Sequence, residues 1–101
     1  MSFDPHTKIT TDDAHKIICD IVESNLEIAI PGHAQKRMSE RGFSTQDVLH
    51  VLLNGKITKQ KFHDESHSWR YTVSGVDLDG DDGKVITVIV NKGQLVVITV
   101  M

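Results

Sequence analysis

Three side chains that can carry positive charge recur at every fourth residue in one stretch of the sequence: His33, Arg37 and Arg41. Residues four apart lie on the same flank of an α-helix, so the spacing predicts a row of one imidazole and two guanidinium groups. Two arginines at this spacing repel each other by roughly 0.2–0.5 kcal/mol, so the helix alone gains nothing from them. The row therefore predicts either an acidic neighbour in the fold or a bound anion.

A histidine beside two arginines suits chemistry on a phosphodiester. Histidine can accept or donate a proton near neutral pH, and an arginine can hold two phosphate oxygens at once. Scission of RNA by its own 2′-hydroxyl needs a base, an acid and fixed positive charge, but neither a metal nor a cofactor. We hypothesise that His33 transfers protons while Arg37 and Arg41 bind the phosphate. Strand residues would contribute from a neighbouring sheet: Arg70, as a further phosphate ligand, Tyr71 and Thr99.

Each residue of the row also has an ordinary structural interpretation. His33 could simply occupy the first turn of a helix, and Arg37 or Arg41 could pair with a carboxylate such as Glu27 or Glu40. The spacing leaves both interpretations open, because exposed rows of charge are common on helices.

The composition predicts one domain, residues 1–101, in which residues 1–8 form a loose arm. The formal net charge of −3 argues against a strongly basic, non-specific nucleic-acid binder. Residues 33–61 nevertheless hold six Lys and Arg against two Asp and Glu, whereas both flanking segments are acidic. The sequence is therefore compatible with a local anion site on a mildly acidic body.

Three features predict a cytoplasmic protein without a membrane contact. No apolar run approaches the roughly 18 residues of a membrane span, and no charged-then-apolar leader is visible at the N-terminus. The single cysteine, Cys19, cannot form an internal disulfide and lies among aliphatic residues. We expect a reduced, cytoplasmic environment.

Helices are predicted before strands. Capping residues and apolar spacing predict a first helix from an N-cap at Thr10 to about Ser24. The helix that carries the charged row should end at Gly42, and a third should run from an N-cap at Ser44 to Gly55.

From Lys56 onward the apolar period changes to two, which predicts strands. Leu26 to Ile30 could form a further short strand or an extended connector. Three regions have strand-like alternation or β-branched composition after the lysine-rich edge segment Ile57 to His63: Trp69 to Val76, Val85 to Val90 and Leu95 to Val100. The sequence therefore predicts an α+β fold in which helices pack on one face of a roughly four-stranded antiparallel sheet.

The last hairpin allows a prediction about the two faces of that sheet. Asn91-Lys92-Gly93 is typical of a three-residue loop with its glycine in the left-handed conformation. In the resulting register Val85 would oppose Thr99, so Thr87 and Thr99 would share a face. A loop one residue longer or shorter would place the two threonines on opposite faces.

Two clusters of possible metal ligands are predicted to have other roles. Asp77 to Gly83 begins like a calcium-binding loop, but position twelve is Val88 rather than glutamate, so an acidic hairpin turn is predicted. His63 and His67 stand beside two acids, yet they lie in a loop without helical ligand spacing. No metal site is predicted.

The run from Ile30 to Val48 reads I-x-x-H-A-x-x-R-M-x-E-R-G-F-S-x-x-D-V and is followed by Asn54-Gly55 and by a strand that ends Val97 to Val100. This pattern resembles the small bacterial family called domain of unknown function 4258, over roughly Ile30 to Val100. The resemblance implies the fold of RelE-like and barnase-like toxin nucleases, with helices packed on an antiparallel sheet. It also implies that the polar pattern of the family falls on four positions of this chain: His33, Arg37, Arg41 and Thr99.

The residues and the resemblance together predict an RNA-interacting, toxin-like bacterial protein. It would be a metal-independent endoribonuclease with RNA as substrate and a cognate antitoxin protein as partner. The alternative is a non-catalytic binding module, or an inactive toxin relative, that docks a protein or a nucleic acid through the same basic row. The net negative charge and the additional first helix depart from typical basic toxins, and the sequence leaves the oligomeric state open.

Overall fold

Three helices and five strands make up the chain in this computed structural model, which describes residue 4 and residues 7–101. The arm predicted over residues 1–8 thus lies mostly outside the described residues. In chain order the elements are α1 (Thr11–Glu23), β1 (Glu27–Ala29), α2 (Gly32–Arg41), α3 (Thr45–Asn54), β2 (Lys56–His63), β3 (Ser68–Val76), β4 (Asp82–Asn91) and β5 (Gln94–Val100). The predicted α+β class is confirmed.

Side-chain caps determine where α1 and α3 begin. The Thr10 side chain accepts a hydrogen bond of 3.1 Å from the backbone N–H of Asp13, and Ser44 and Asp47 form a capping box. Backbone N–H groups of Ser44 and Leu78 also donate to the Asp47 carboxylate, at 2.8 and 3.0 Å, and hold its pKa below the ordinary value. Asp47 therefore ties the start of α3 to the turn between β3 and β4.

The sheet has five strands in the order β1-β5-β4-β3-β2, so the prediction of about four strands is one strand short. The additional strand is β1, which pairs in parallel with β5 from Glu27 opposite Gln94 to Ala29 opposite Val96. The other three strand pairs are antiparallel, as predicted. A three-residue strand is too short to show a clear period of two, which is why the sequence left a connector as the alternative.

All three helices pack on one face of the sheet and share a single hydrophobic core with it. Alternate residues of β4, namely Val85, Thr87 and Ile89, are buried in that core. No described helix covers the other face, so the intervening side chains of each strand form what we call the open face. None of the described helices combines the length and the apolar composition that a membrane crossing requires.

The turn of the last hairpin is tighter than predicted. Asn91 pairs with Gln94, which leaves two residues between the strands, and Gly93 is not in the left-handed conformation. The Asn91 side chain accepts a hydrogen bond of 2.8 Å from the backbone N–H of Gly93 and stabilises this shorter connection. The predicted three-residue loop is therefore wrong.

A register shift in the same hairpin moves Thr99 to the open face. The shift lies between Ile86 and Thr87 of β4, so Thr99 pairs with Ile86, and Val85 pairs with Val100 instead. Thr87 is fully buried in the core, whereas Thr99 lies on the opposite side of the sheet. The prediction that the two threonines share a face is wrong, because a bulge adds one residue to one strand and reverses the facing of those that follow.

Candidate functional site

Two rows of side chains cross the open face from β2 to β5. The first consists of Lys61, Arg70, Val88 and Val96, which are successive partners across the three antiparallel strand pairs. The second consists of Lys59, Thr72, Ile86 and Thr99. We call the β2–β3 part, with Lys59, Lys61, His63, Arg70 and Thr72, the basic half, and the β4–β5 part, with Ile86, Val88, Val96 and Ile98, the apolar half. Along each row, the open face therefore changes from basic and polar side chains on β2 and β3 to mainly aliphatic side chains on β4 and β5.

A shallow cavity of ≈ 170 Å³ lies over the basic half. It is lined by Lys59, Lys61, His63, Arg70, Thr72 and Ile86. Because one water occupies about 30 Å³ in the liquid, the cavity is large enough for a phosphate group. Within the described residues, no three His, Cys, Asp or Glu side chains are grouped so that they could hold a metal ion.

Arg70 is the most constrained cation of the cavity. Its Nε is buried and has no hydrogen-bond partner among the described residues. An unsatisfied buried donor costs about 1–3 kcal/mol. The Nη donors of a guanidinium can bind two oxygens of one phosphate without contact to the buried Nε.

The positive charges of the cavity are not neutralised by carboxylates. Lys61 lies directly opposite Arg70 in the β2–β3 pair, and like charges in that position destabilise a sheet. Lys59 is two residues from Lys61 on the same side of β2, at a separation of about 6.8 Å. None of the three forms an ion pair with a described residue. The basic half therefore holds three cations without a paired carboxylate among the described residues, two of them the exposed lysines.

Two further polar side chains face the cavity. Thr72 is only 8 % exposed, and its hydroxyl forms no hydrogen bond within the described part of the chain. Nδ1 of His63 lies 3.0 Å from the Ser66 hydroxyl and 3.4 Å from the Ser66 backbone N–H, which can only donate. Nδ1 is therefore the acceptor, and the neutral ring carries its proton on Nε2, where a ligand can receive a hydrogen bond.

The charged row predicted on α2 lies on a different surface. α2 buries Ala34 and Met38 in the core, and His33, Arg37 and Arg41 are exposed. α2 contacts β5 from the helical side of the sheet, whereas the cavity opens on the other side. Neither arginine forms an ion pair with a described residue. The proton-transfer and phosphate-binding roles of this helix row therefore stay predictions, without support from a shared cavity.

Of the three predicted strand residues, the structure brings only Arg70 into the cavity. Tyr71 faces the core, where it is 1 % exposed and where burial raises the pKa of its phenol. Thr99 is on the open face opposite Ile86, at the far end of the second row and outside the cavity lining. His33, Arg37, Arg41, Tyr71 and Thr99 are thus not gathered around Arg70.

The sequence prediction did not include Lys59, Lys61, His63 or Thr72 in a site. The lysines were assigned to protecting an edge strand from further pairing, which is a common role for them. A usable signal was present, since residues 59, 61 and 63 alternate along β2 and share one face. Pairing β2 with the next strand would have added Arg70 and Thr72 to that face.

The comparisons with known proteins give one match. The family model of the Domain of unknown function (DUF4258) matches residues 30–101, which agrees with the extent of the resemblance noted from the sequence. α1 lies outside the matched region, whereas every residue of the cavity lies inside it. No curated protein and no solved structure matches the chain.

Proposed function

The chain belongs to the Domain of unknown function (DUF4258) family, and because that description names no activity, we propose a function from the geometry. The protein binds RNA, and the basic half of the open face holds the RNA phosphates. Arg70 and Lys61 contact one phosphate together, and Lys59 contacts the next one along the strand.

The observation that carries this proposal is the direct pairing of Lys61 with Arg70, beside Lys59, without a neutralising carboxylate. A folded protein that keeps like charges together loses stability, and an anionic ligand reverses that loss. Lys59 and Lys61 are about 6.8 Å apart along an extended strand, similar to the separation of consecutive phosphates in an extended nucleic acid. This repeat favours a polyanion over a single small phosphate. The resemblance to toxin nucleases favours RNA, and the cytoplasmic location that an RNA ligand implies belongs to the same proposal.

The test compares two arginines that lie on different surfaces of the protein. Binding of a fluorescent RNA oligonucleotide is measured by anisotropy for the wild type, Arg70→Gln and Arg37→Gln. Each variant removes one positive charge, and Arg37 is on the helix row. We expect Arg70→Gln to raise Kd by about tenfold, because a charge-assisted hydrogen bond is lost, and Arg37→Gln to leave Kd unchanged.

The opposite pattern would move the site to the helix row, and the alternative of a binding module that docks through that row would then be favoured. If the wild type binds no RNA, the proposed function is wrong.

Cleavage of the bound RNA is a second candidate function, favoured by the position of His63 in the cavity. The 2′-oxygen would attack phosphorus and the bond to the 5′-oxygen would break, which gives a 2′,3′-cyclic phosphate and a free 5′-hydroxyl. His63 in its protonated form would donate the Nε2 proton to the departing 5′-oxygen, and the 2′-hydroxyl proton would leave to water. The neighbouring cations would stabilise the charge that develops on the phosphoryl oxygens.

Cleavage is tested with labelled RNA in the presence of EDTA. Loss of activity in His63→Ala, with activity kept in His33→Ala, would support the cavity as the catalytic site. Loss in His33→Ala alone would support the helix row, and an inactive wild type would leave RNA binding without cleavage.

The resemblance to RelE-like and barnase-like toxin nucleases adds a cellular prediction. Induced expression should arrest bacterial growth, and co-expression of an adjacent gene that encodes a cognate antitoxin should restore it. Normal growth, together with RNA binding in vitro, would favour a non-catalytic binding module or an inactive toxin relative.

A further inference from the structure

The apolar half has no role in phosphate binding. Its four aliphatic side chains are each partly exposed, on a face that no described helix covers: Ile86, Val88, Val96 and Ile98. Val88 and Val96 lie directly opposite each other and continue the row that begins with Lys61 and Arg70. The apolar half is therefore joined to the basic half within a single row of side chains.

We propose that the apolar half binds nucleobases and that the ligand is consequently single-stranded RNA. This inference rests on the proposed function, since the phosphates are held on the basic half. Each row accommodates one nucleotide, with its phosphate on the β2–β3 side chains. The face of its base lies on Val88 and Val96 in the first row and on Ile86 in the second row. The binding of the base requires no hydrogen-bond readout, so it tolerates different base sequences.

The dimensions of the sheet fit this arrangement. Adjacent strands are 4.7–4.9 Å apart, so two strand spacings from Arg70 to Val96 cover about 10 Å. That distance is similar to the reach from a phosphate across its ribose to the far side of the base. The two rows are about 6.8 Å apart along the strands, which matches consecutive nucleotides of an extended chain. Two neighbouring nucleotides can therefore occupy the two rows together.

The charge distribution distinguishes a single strand from a duplex. In A-form RNA the bases are stacked inside the helix, and the accessible minor groove presents ribose hydroxyls and base edges. An aliphatic surface gains free energy by covering the apolar faces of bases, which only an unstacked strand exposes. The four side chains of the apolar half carry no charge that would bind the second phosphate backbone of a duplex, and the charge of Lys84 on the same side of β4 lies outside the two rows. The open face thus favours the single strand.

The experiment separates base binding from phosphate binding. The probes are a fluorescent 2′-O-methyl RNA oligonucleotide, which resists scission by its own 2′-oxygen, and the same backbone with abasic sites at consecutive central positions. The proteins are the wild type, the double variant Val88→Thr/Val96→Thr and the control Val76→Thr. Threonine keeps the β-branched shape and the strand propensity, and Val76 is an exposed valine of β3 outside the two rows.

We expect the wild type and Val76→Thr to bind the intact oligonucleotide about threefold to tenfold more tightly than the abasic one, because base faces are buried on the protein. The double variant should lose this preference while keeping its affinity for the abasic backbone. A hairpin duplex of equal charge should bind the wild type more weakly than the single strand.

Equal affinity of the wild type for intact and abasic probes would overturn the base site and leave phosphate binding in place. A preference retained in the double variant would also overturn it. Failure of the wild type to bind either probe would contradict the proposed function itself. Displacement of the RNA by an acidic peptide, with no preference for bases, would identify a protein segment as the occupant and overturn the inference.

Discussion

The number of phosphates that the basic half holds can be measured from the salt dependence of RNA binding. Three cations line the cavity, Lys59, Lys61 and Arg70. For single strands the logarithm of the binding constant falls with the logarithm of salt concentration by about 0.7 for each phosphate neutralised. Arg70 and Lys61 neutralise one phosphate together and Lys59 neutralises the next, so the slope for the wild type is about −1.4. Between about 50 and 200 mM salt, the affinity then falls by about sevenfold.

Removal of the cations of either phosphate changes this slope by a defined amount. The double variant Lys61→Gln/Arg70→Gln removes both cations of one phosphate, and Lys59→Gln removes the single cation of the other. Each should give a slope of about −0.7, equivalent to about a 2.6-fold loss of affinity over the same range of salt. Arg37→Gln removes the same charge from the helix row and should keep the wild-type slope. The assay is an anisotropy titration of a non-cleavable RNA at four or more salt concentrations.

Phosphate binding at the basic half is refuted if the two cavity variants keep the wild-type slope while Arg37→Gln reduces it. It is also refuted if Lys59→Gln and Arg37→Gln change the slope equally, because the binding would then depend on overall charge. The slope is a better criterion than Kd alone, since a variant that is only slightly destabilised can change Kd without changing the number of phosphates bound.

Three further predictions concern the fold. Gly55→Ala places a Cβ 2.6 Å from two backbone oxygens, so urea denaturation should show that the free energy of unfolding falls by about 1–3 kcal/mol. The control Gly32→Ala, whose Cβ meets nothing within 4 Å, should cause no loss, and equal effects of the two substitutions would contradict the close approach at Gly55. Hydrogen bonds depress the pKa of Asp47, so its contribution to the free energy of unfolding should be complete above the ordinary pKa of aspartate and be lost as pH falls through the depressed value. Asp47→Asn should flatten this acid dependence, and an acid profile that the substitution leaves unchanged would refute it. Burial raises the pKa of Cys19, so iodoacetamide should modify the folded protein more slowly than the urea-unfolded protein, and equal rates would exclude this environment.

The helices could be predicted from the sequence because their limits depend on local chemistry. Thr10 and Ser44 cap the helices that follow them, and Gly42 adopts the left-handed conformation with φ of +71° at the end of α2. Each of these signals acts within a few residues of the position that it determines. The α+β class followed from the change of apolar period after α3.

The sheet was less predictable because its details depend on contacts between distant segments. β1 is defined only by its pairing with β5, and the bulge opposite Ile86 left no signal in the alternation of β5. That bulge decided the position of Thr99. Likewise, Lys61 and Arg70 are nine residues apart in sequence, and only the β2–β3 register makes them neighbours. The helix row was conspicuous in the sequence because its spacing is local, whereas the cavity becomes visible only when the strands are paired.

The most direct test of the central claim is a map of the RNA-binding surface by NMR. Chemical shifts of backbone amides and of lysine and arginine side chains are recorded while a short 2′-O-methyl RNA is added. RNA binding at the open face predicts that the largest changes fall on β2 and β3 at Lys59, Lys61, Arg70 and Thr72, with smaller changes at Val88 and Val96. Changes concentrated at residues 33–41 of α2, with the open face unaffected, would contradict it.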